Sequence, residues 1–196
     1  MKTPRLAPVC ALLMMFGLTA CPQTTVPRNF GGKPLALKPD EWQGTWRIAG
    51  EDDDLRFVVK DASAGEIAVL ETDEEKKKDK DEPIQLVIHE TGTQEGKERA
   101  FMIILSETAG KSGSLNLITM PENGVFHMWN LRDEAVAAAV KNGELKGVIE
   151  EVKEKGEQKP STHTNLNADP VNYEKLMDPK FWEWSKPATM VRKQEK

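Results

Sequence analysis

Residues 42–50, Trp-Gln-Gly-Thr-Trp-Arg-Ile-Ala-Gly, open the part of the chain where apolar and polar residues alternate. Trp46 and Ile48 fall on one side, Thr45 and Arg47 on the other. That period of two belongs to a strand with one buried face. Gly44, just before the second tryptophan, leaves room for a neighbouring element to approach closely. The same alternation continues down the chain. Leu55, Phe57 and Val59 carry it, then Ile67 and Val69, then Ile84, Leu86 and Ile88. Phe101, Ile103 and Leu105 follow, then Leu115 and Leu117, then Val125 to Leu131, and lastly Leu145 to Val152. Turn signals such as Ala64-Gly65 and Pro121-Glu-Asn-Gly124 separate these runs. About eight short strands in succession predict a mainly β fold, an antiparallel meander closed into a small barrel. Closure removes exposed strand edges.

One helix precedes the last of these strands. Ala135, Val136, Ala139 and Val140 form its apolar stripe, Asp133 is expected to cap it, and Gly143 suits the position after its end. A short C-terminal helix is expected from Pro170 to Met177, with Asp169 as its cap and Pro179 beyond its end. The segment 72–83, TDEEKKKDKDEP, has no apolar residue and reads as a charged loop between the third and fourth strands.

The N-terminus reads as a targeting segment. Lys2 and Arg5 precede an apolar run from Ala7 to Leu18, too short for the roughly 20 residues of a membrane span. Leu18-Thr19-Ala20-Cys21 then resembles the bacterial lipobox: an aliphatic residue, two small residues and a cysteine. The resemblance implies that residues 1–20 are removed and that Cys21 is lipidated with acyl chains such as palmitate. Several such chains hold a protein stably on a membrane surface. The implied location is the extracytoplasmic, periplasmic face of a bacterial cell membrane or outer membrane. Cys10 leaves with the signal and Cys21 is consumed, so no disulfide is expected. Residues 21–39 read as a lipidated flexible tether, since Pro22, Pro27, Gly31, Gly32, Pro34 and Pro39 interrupt any regular element. Residues 40–196 then form a single domain.

Loss of Lys2 and Arg5 leaves 25 of the 27 basic residues against 32 acidic ones, a formal charge of −7. An acidic chain does not suggest nucleic acid, which calls for a basic patch. Catalytic and cofactor patterns fail on spacing. Gly110-Lys111-Ser112 lacks the earlier glycine of a phosphate loop, because Leu105 stands there. Glu51 to Asp54 is interrupted by Arg56 as a calcium loop. Glu150 and Glu151, adjacent on a strand, point to opposite faces. His89, His127 and His163 have no metal-ligand spacing. No enzyme, metal or cofactor is expected.

Gly44-Thr45-Trp46 resembles the Gly-x-Trp signature of the lipocalin and wider calycin barrels. The resemblance implies an eight-stranded barrel with Trp46 plugging one end and the other end open to a small apolar ligand. Two features depart from that family: no Thr-Asp-Tyr signature is present, and the helix comes before the last strand. Independently of the resemblance, Trp46 reads as a core aromatic. His127 and Trp129 share a strand face with Val125 and Leu131, and Phe126 and Met128 occupy the other. Pointing inward, His127 and Trp129 would serve a ligand site. The expectation is the reverse, with His127 outward and covered by the helix at 133–142. Phe181-Trp182-Glu183-Trp184 carries more apolar area than a soluble surface leaves exposed. The tail is expected to pack on the barrel; the functional alternative makes Phe181, Trp182 and Trp184 a partner contact. Two functions follow: a lipid-anchored carrier of a small apolar ligand, or a protein-interaction module with a filled barrel, such as an envelope assembly factor or an inhibitor of an envelope enzyme.

Overall fold

The computed structural model describes residues 23–71, 83–91, 99–106, 110–152 and 160–194. The proposed signal peptide, Cys21 and most of the charged segment 72–83 lie outside the described residues. Strand β1 is Gln23–Pro27, helix α1 Pro39–Trp42, and β2 Gly44–Ile48. Then come β3 Asp54–Asp61, β4 Glu66–Glu71, β5 Ile84–Glu90, β6 Arg99–Leu105, β7 Ser112–Thr119 and β8 Val125–Asn130. Helix α2 spans Asp133–Lys141, followed by β9 Gly147–Val152 and β10 Ser161–Leu166. Helix α3 Pro170–Lys175, a 3-10 turn Pro179–Phe181 and β11 Ala188–Arg192 complete the series.

Eight strands form a closed antiparallel barrel. β2 to β8 pair in sequence order, and β11 joins β8 to β2. The mainly β meander expected from the sequence is therefore present, with a different eighth strand. Residues 147–152 do form a strand, but it lies outside the barrel. Glu150 and Glu151 explain why: neighbours on a strand face opposite ways, so one carboxylate would have entered the apolar interior. β11 offers Met190 instead, buried opposite Ile48 and Phe126.

The wall divides at β7. Its C-terminal half pairs with β8 at Asn116–Ile118, and its first residues pair with β1 at Val26 and Pro27. β1 continues in parallel to β10, and β10 pairs with β9. A three-stranded apron thus leaves the barrel at the fork. Helix α2 packs on β1, β9 and β10.

Two cores result. The inner one fills the barrel with Trp46, Phe57, Ile67, Leu86, Met102 and Phe126 among others. The outer one lies between the outside of β5–β8 and the helices, and includes Phe30, Phe101, Leu117, Val136, Leu176 and Trp182. Strand β6 serves both. Ala100, Met102 and Ile104 face the barrel interior, and Phe101, Ile103 and Leu105 face the outer core.

The expectation of a free tether over 21–39 is corrected from residue 23 onward. Val26 and Phe30 are buried in the outer core, and Leu37 packs into the inner one. The Leu35 N–H donates to Ile88 O at 2.9 Å. Proline and glycine interrupt regular elements here without preventing packing, because apolar side chains recur between them. Gly31, at φ +111°, is needed for that approach: a Cβ there would lie 2.8 Å from the Cβ of His89.

Asp169 caps α3 as expected, accepting the Val171 N–H at 2.9 Å. Gly143 takes a left-handed φ of +73° after α2. Asp133 does not cap α2. The N-cap is Arg132, and the Asp133 side chain turns to β1, accepting the Thr24 N–H at 2.8 Å.

Candidate functional site

The barrel interior is the place to test for a ligand. Trp46 is fully buried at the end of the barrel where the chain enters, among Phe126 at 5.1 Å and Phe57 at 5.8 Å between ring centroids. Its indole N–H donates to Trp42 O at 2.8 Å. Trp42, carried by α1, is itself fully buried and lies 5.6 Å from Phe126. Trp42, Trp46, Phe57 and Phe126 therefore form a cluster of four rings. Sequence reasoning set only Trp46 at this end, although the other tryptophan stood four residues earlier in the same stretch. Gly44 adopts φ +133°, and the Arg192 guanidinium lies where its Cβ would be, 2.9 Å away. Arg192 also donates to Asp40 O, tying β11 to the helix that closes this end.

Among the described residues, side chains pack the rest of the interior. A void of about 10 Å³ survives among Phe57, Met102, Phe126, Met128 and Met190. Flexible methionine side chains fill irregular gaps of this kind. Such a void is about the size of one water probe, whereas pockets for small molecules hold roughly 300–1,000 Å³. A larger hollow of about 260 Å³ lies outside the barrel, bordered by Arg28, Lys60, Glu66 and Gln85. The Arg28–Glu66 ion pair at 2.5 Å occupies one side of it.

The other sequence candidates lie outside the barrel. Phe126 and Met128 face inward, so His127 and Trp129 face outward. The His127 Nδ1 lies 3.0 Å from Thr189 Oγ1 on β11. Helix α2 does not cover His127, contrary to expectation, because α2 packs over the apron instead. Trp184 is what lies over this face, 4.9 Å from Trp129, with the Arg99 guanidinium 4.8 Å above its ring. Phe181 and Trp182 are buried in the outer core, at 1% and 2% exposure. Trp182 stacks on Phe101 at 6.3 Å and its N–H donates to Leu176 O. These two rings present no surface to a partner. Trp184 alone of the three is partly exposed.

The setting of two polar groups, the buried Asn116 and the half-buried Asp133, was not read from the sequence. Asn116 is fully buried inside the barrel at the fork, and neither its amide oxygen nor its nitrogen has a hydrogen-bond partner. Asp133 sits where β1 leaves β7. Burial pushes its carboxyl up to about 6, opposed by the hydrogen bonding from Thr24 and reinforced by the charges of Glu134 and Glu183. Isolated polar residues in apolar or helical runs carry no sequence signal of this kind, since burial is decided by the packing of distant segments. Among the described residues there is no cluster of groups able to hold a metal ion. Among them, too, no helix is long and apolar enough to cross a membrane.

Comparison with known proteins gives no match to any family model, curated protein or solved structure.

Proposed function

We propose that this protein is a non-enzymatic protein-interaction module of the bacterial cell envelope, built on a lipocalin-like barrel and held at a membrane by acyl chains on Cys21. The observation that supports it most is the filled barrel. The void of about 10 Å³ among the inner-core side chains is far smaller than the roughly 300–1,000 Å³ that a small ligand's pocket holds. What remains for recognition is the outside of the molecule, where the apron and the tail add surfaces that a bare barrel lacks. The anchor reading rests on the lipobox resemblance of Leu18-Thr19-Ala20-Cys21.

The test has two arms. Photo-crosslinking from surface positions in intact cells is expected to give discrete adducts with an envelope protein. A fluorescent fatty acid titrated against the unlipidated Cys21→Ser protein is expected to show no saturable binding. Saturable uptake with no protein adduct would return the carrier reading. Intact mass of the native chain is expected to show acyl chains on Cys21, and an unmodified start at another residue would remove the anchor.

A further inference from the structure

Strand β9 forms the outer margin of the apron. One side pairs with β10, and among the described residues the other side pairs with nothing. The phase of its backbone follows from one bond. Asn167 N–H donates to Lys146 O at 3.0 Å, just beyond the Gly147–Leu166 pair. Antiparallel partners alternate between bonded and non-bonded pairs. Val148, Glu150 and Val152 therefore turn their N–H and C=O groups toward β10. Gly147, Ile149 and Glu151 turn theirs outward.

Natural sheets guard such margins with lysine, proline, bulges or a covering element. β9 has no lysine and no proline. Val148 is 54% exposed, more than any other large apolar residue among those described. Glu150 and Glu151 are exposed and belong to no ion pair among the described residues. The nearby Lys146 is already paired with Asp169 at 2.8 Å.

We propose that the free edge of β9 binds an extended basic segment of a partner protein by strand addition; this rests on the interaction-module reading. The backbone groups of Gly147, Ile149 and Glu151 supply the ladder, and side chains set the choice of partner. Glu150 and Glu151 point to opposite faces, so a matching segment carries two adjacent basic residues, one for each face. Running antiparallel, it places any residue opposite Ile149 and an apolar residue opposite Val148. The same strand of a second copy is a poor occupant, because Gly147–Val152 brings two more carboxylates to the ladder and contains no cation.

The probe is the labelled peptide Thr-Thr-Lys-Arg-Thr-Val-Thr-Thr, titrated against the full chain in detergent and followed by fluorescence anisotropy. Saturable binding is expected, and a version with Glu-Glu in place of Lys-Arg is expected not to bind. Glu151→Gln removes a charge and keeps the outward N–H. Glu151→Pro removes both and leaves the β10 ladder intact. The proline variant is expected to bind at least about tenfold more weakly than the glutamine variant, with an unchanged melting curve. Glu150→Lys with Glu151→Lys is expected to exchange the preference, losing the Lys-Arg peptide and gaining the Glu-Glu one. That exchange decides the matter if the proline variant melts early. No binding by the native chain, equal binding by the proline and glutamine variants, or no exchange would each overturn the proposal. So would concentration-dependent dimers abolished by Glu151→Pro. Envelope crosslinks that survive in Glu151→Pro would overturn the β9 site and leave the interaction-module reading standing.

Discussion

The two cores share strand β6 and differ in how they are assembled. The inner core draws most of its residues from consecutive hairpins, and its rings close one end of the barrel. The outer core gathers β1, α2, α3 and the 181–182 rings from segments far apart in sequence. A half-buried carboxylate, Asp133, lies at its margin, whereas the inner core's polar intruder is a neutral amide, Asn116. A region built from neighbours can be almost wholly apolar. One assembled from distant pieces needs polar contacts to fix where those pieces dock, as Asp133 fixes β1.

The largest effect expected from that contrast is at Trp46. Trp46→Ala removes the ring on which Phe57 and Phe126 pack, and is expected to cost about 3–5 kcal/mol. That is a large share of the roughly 5–15 kcal/mol that holds a typical domain together. Urea unfolding followed by far-UV circular dichroism would measure it, and an unchanged midpoint would remove Trp46 as the plug. Phe30→Ala tests the other core. Phe30 lies 5.9 Å from Phe101 and 5.0 Å from Tyr173, and its loss is expected to cost about 3 kcal/mol, the low end for a buried phenylalanine. The distinction is in where the damage falls. Hydrogen exchange should speed up across residues 23–38 while β3–β5 stay protected; uniform loss of protection would mean the two cores unfold as one.

The smallest effect has the opposite sign. The Asp133 carboxyl is raised to about 6 from its usual 3.8, so the folded state holds its proton more tightly than the unfolded chain does. That contribution is fully present below about pH 4 and is lost as pH rises through about 6. Asp133→Asn keeps an oxygen to accept the Thr24 N–H and carries no charge. It is expected to raise stability at pH 7 by on the order of 2–3 kcal/mol and to change little at pH 4. Melting temperatures across pH 4–8 would show this as a flatter profile for the variant. A parallel shift at every pH would mean that the burial of charge is not the cause.

How much of this was legible in the sequence depends on the segment. The strands around Trp46 and Phe57 alternate cleanly, because one face meets the core and the other meets more polar surroundings. β6 was legible as a strand, but being buried on both faces it does not reveal which set of residues faces the barrel. β11 escaped notice, since a strand of five residues with Met190 as its one buried side chain lies just after Pro187 and the aromatic tail. Residues 23–38 were misread because proline and glycine report local conformation, and burial of Phe30 is a long-range event. At the site, Trp46 was placed correctly on the inward face. The identity of its companions, and the filling of the barrel by methionines, depend on how eight strands come together around it.

The closing role of β11 bears on the order of events during synthesis. Met190 and Arg192 pair with Ile48 and Trp46 in β2, near the other end of the ladder in chain order. Until Ala188–Arg192 has emerged, β2 and β8 each present an open margin, and the aromatic cluster of Trp42 and Trp46 lacks the Arg192 tie across its mouth. Contacts of such long sequence separation form late and slowly. A nascent chain therefore passes through an open, adhesive sheet, and the interval before its last strand arrives is when it most needs a chaperone's protection.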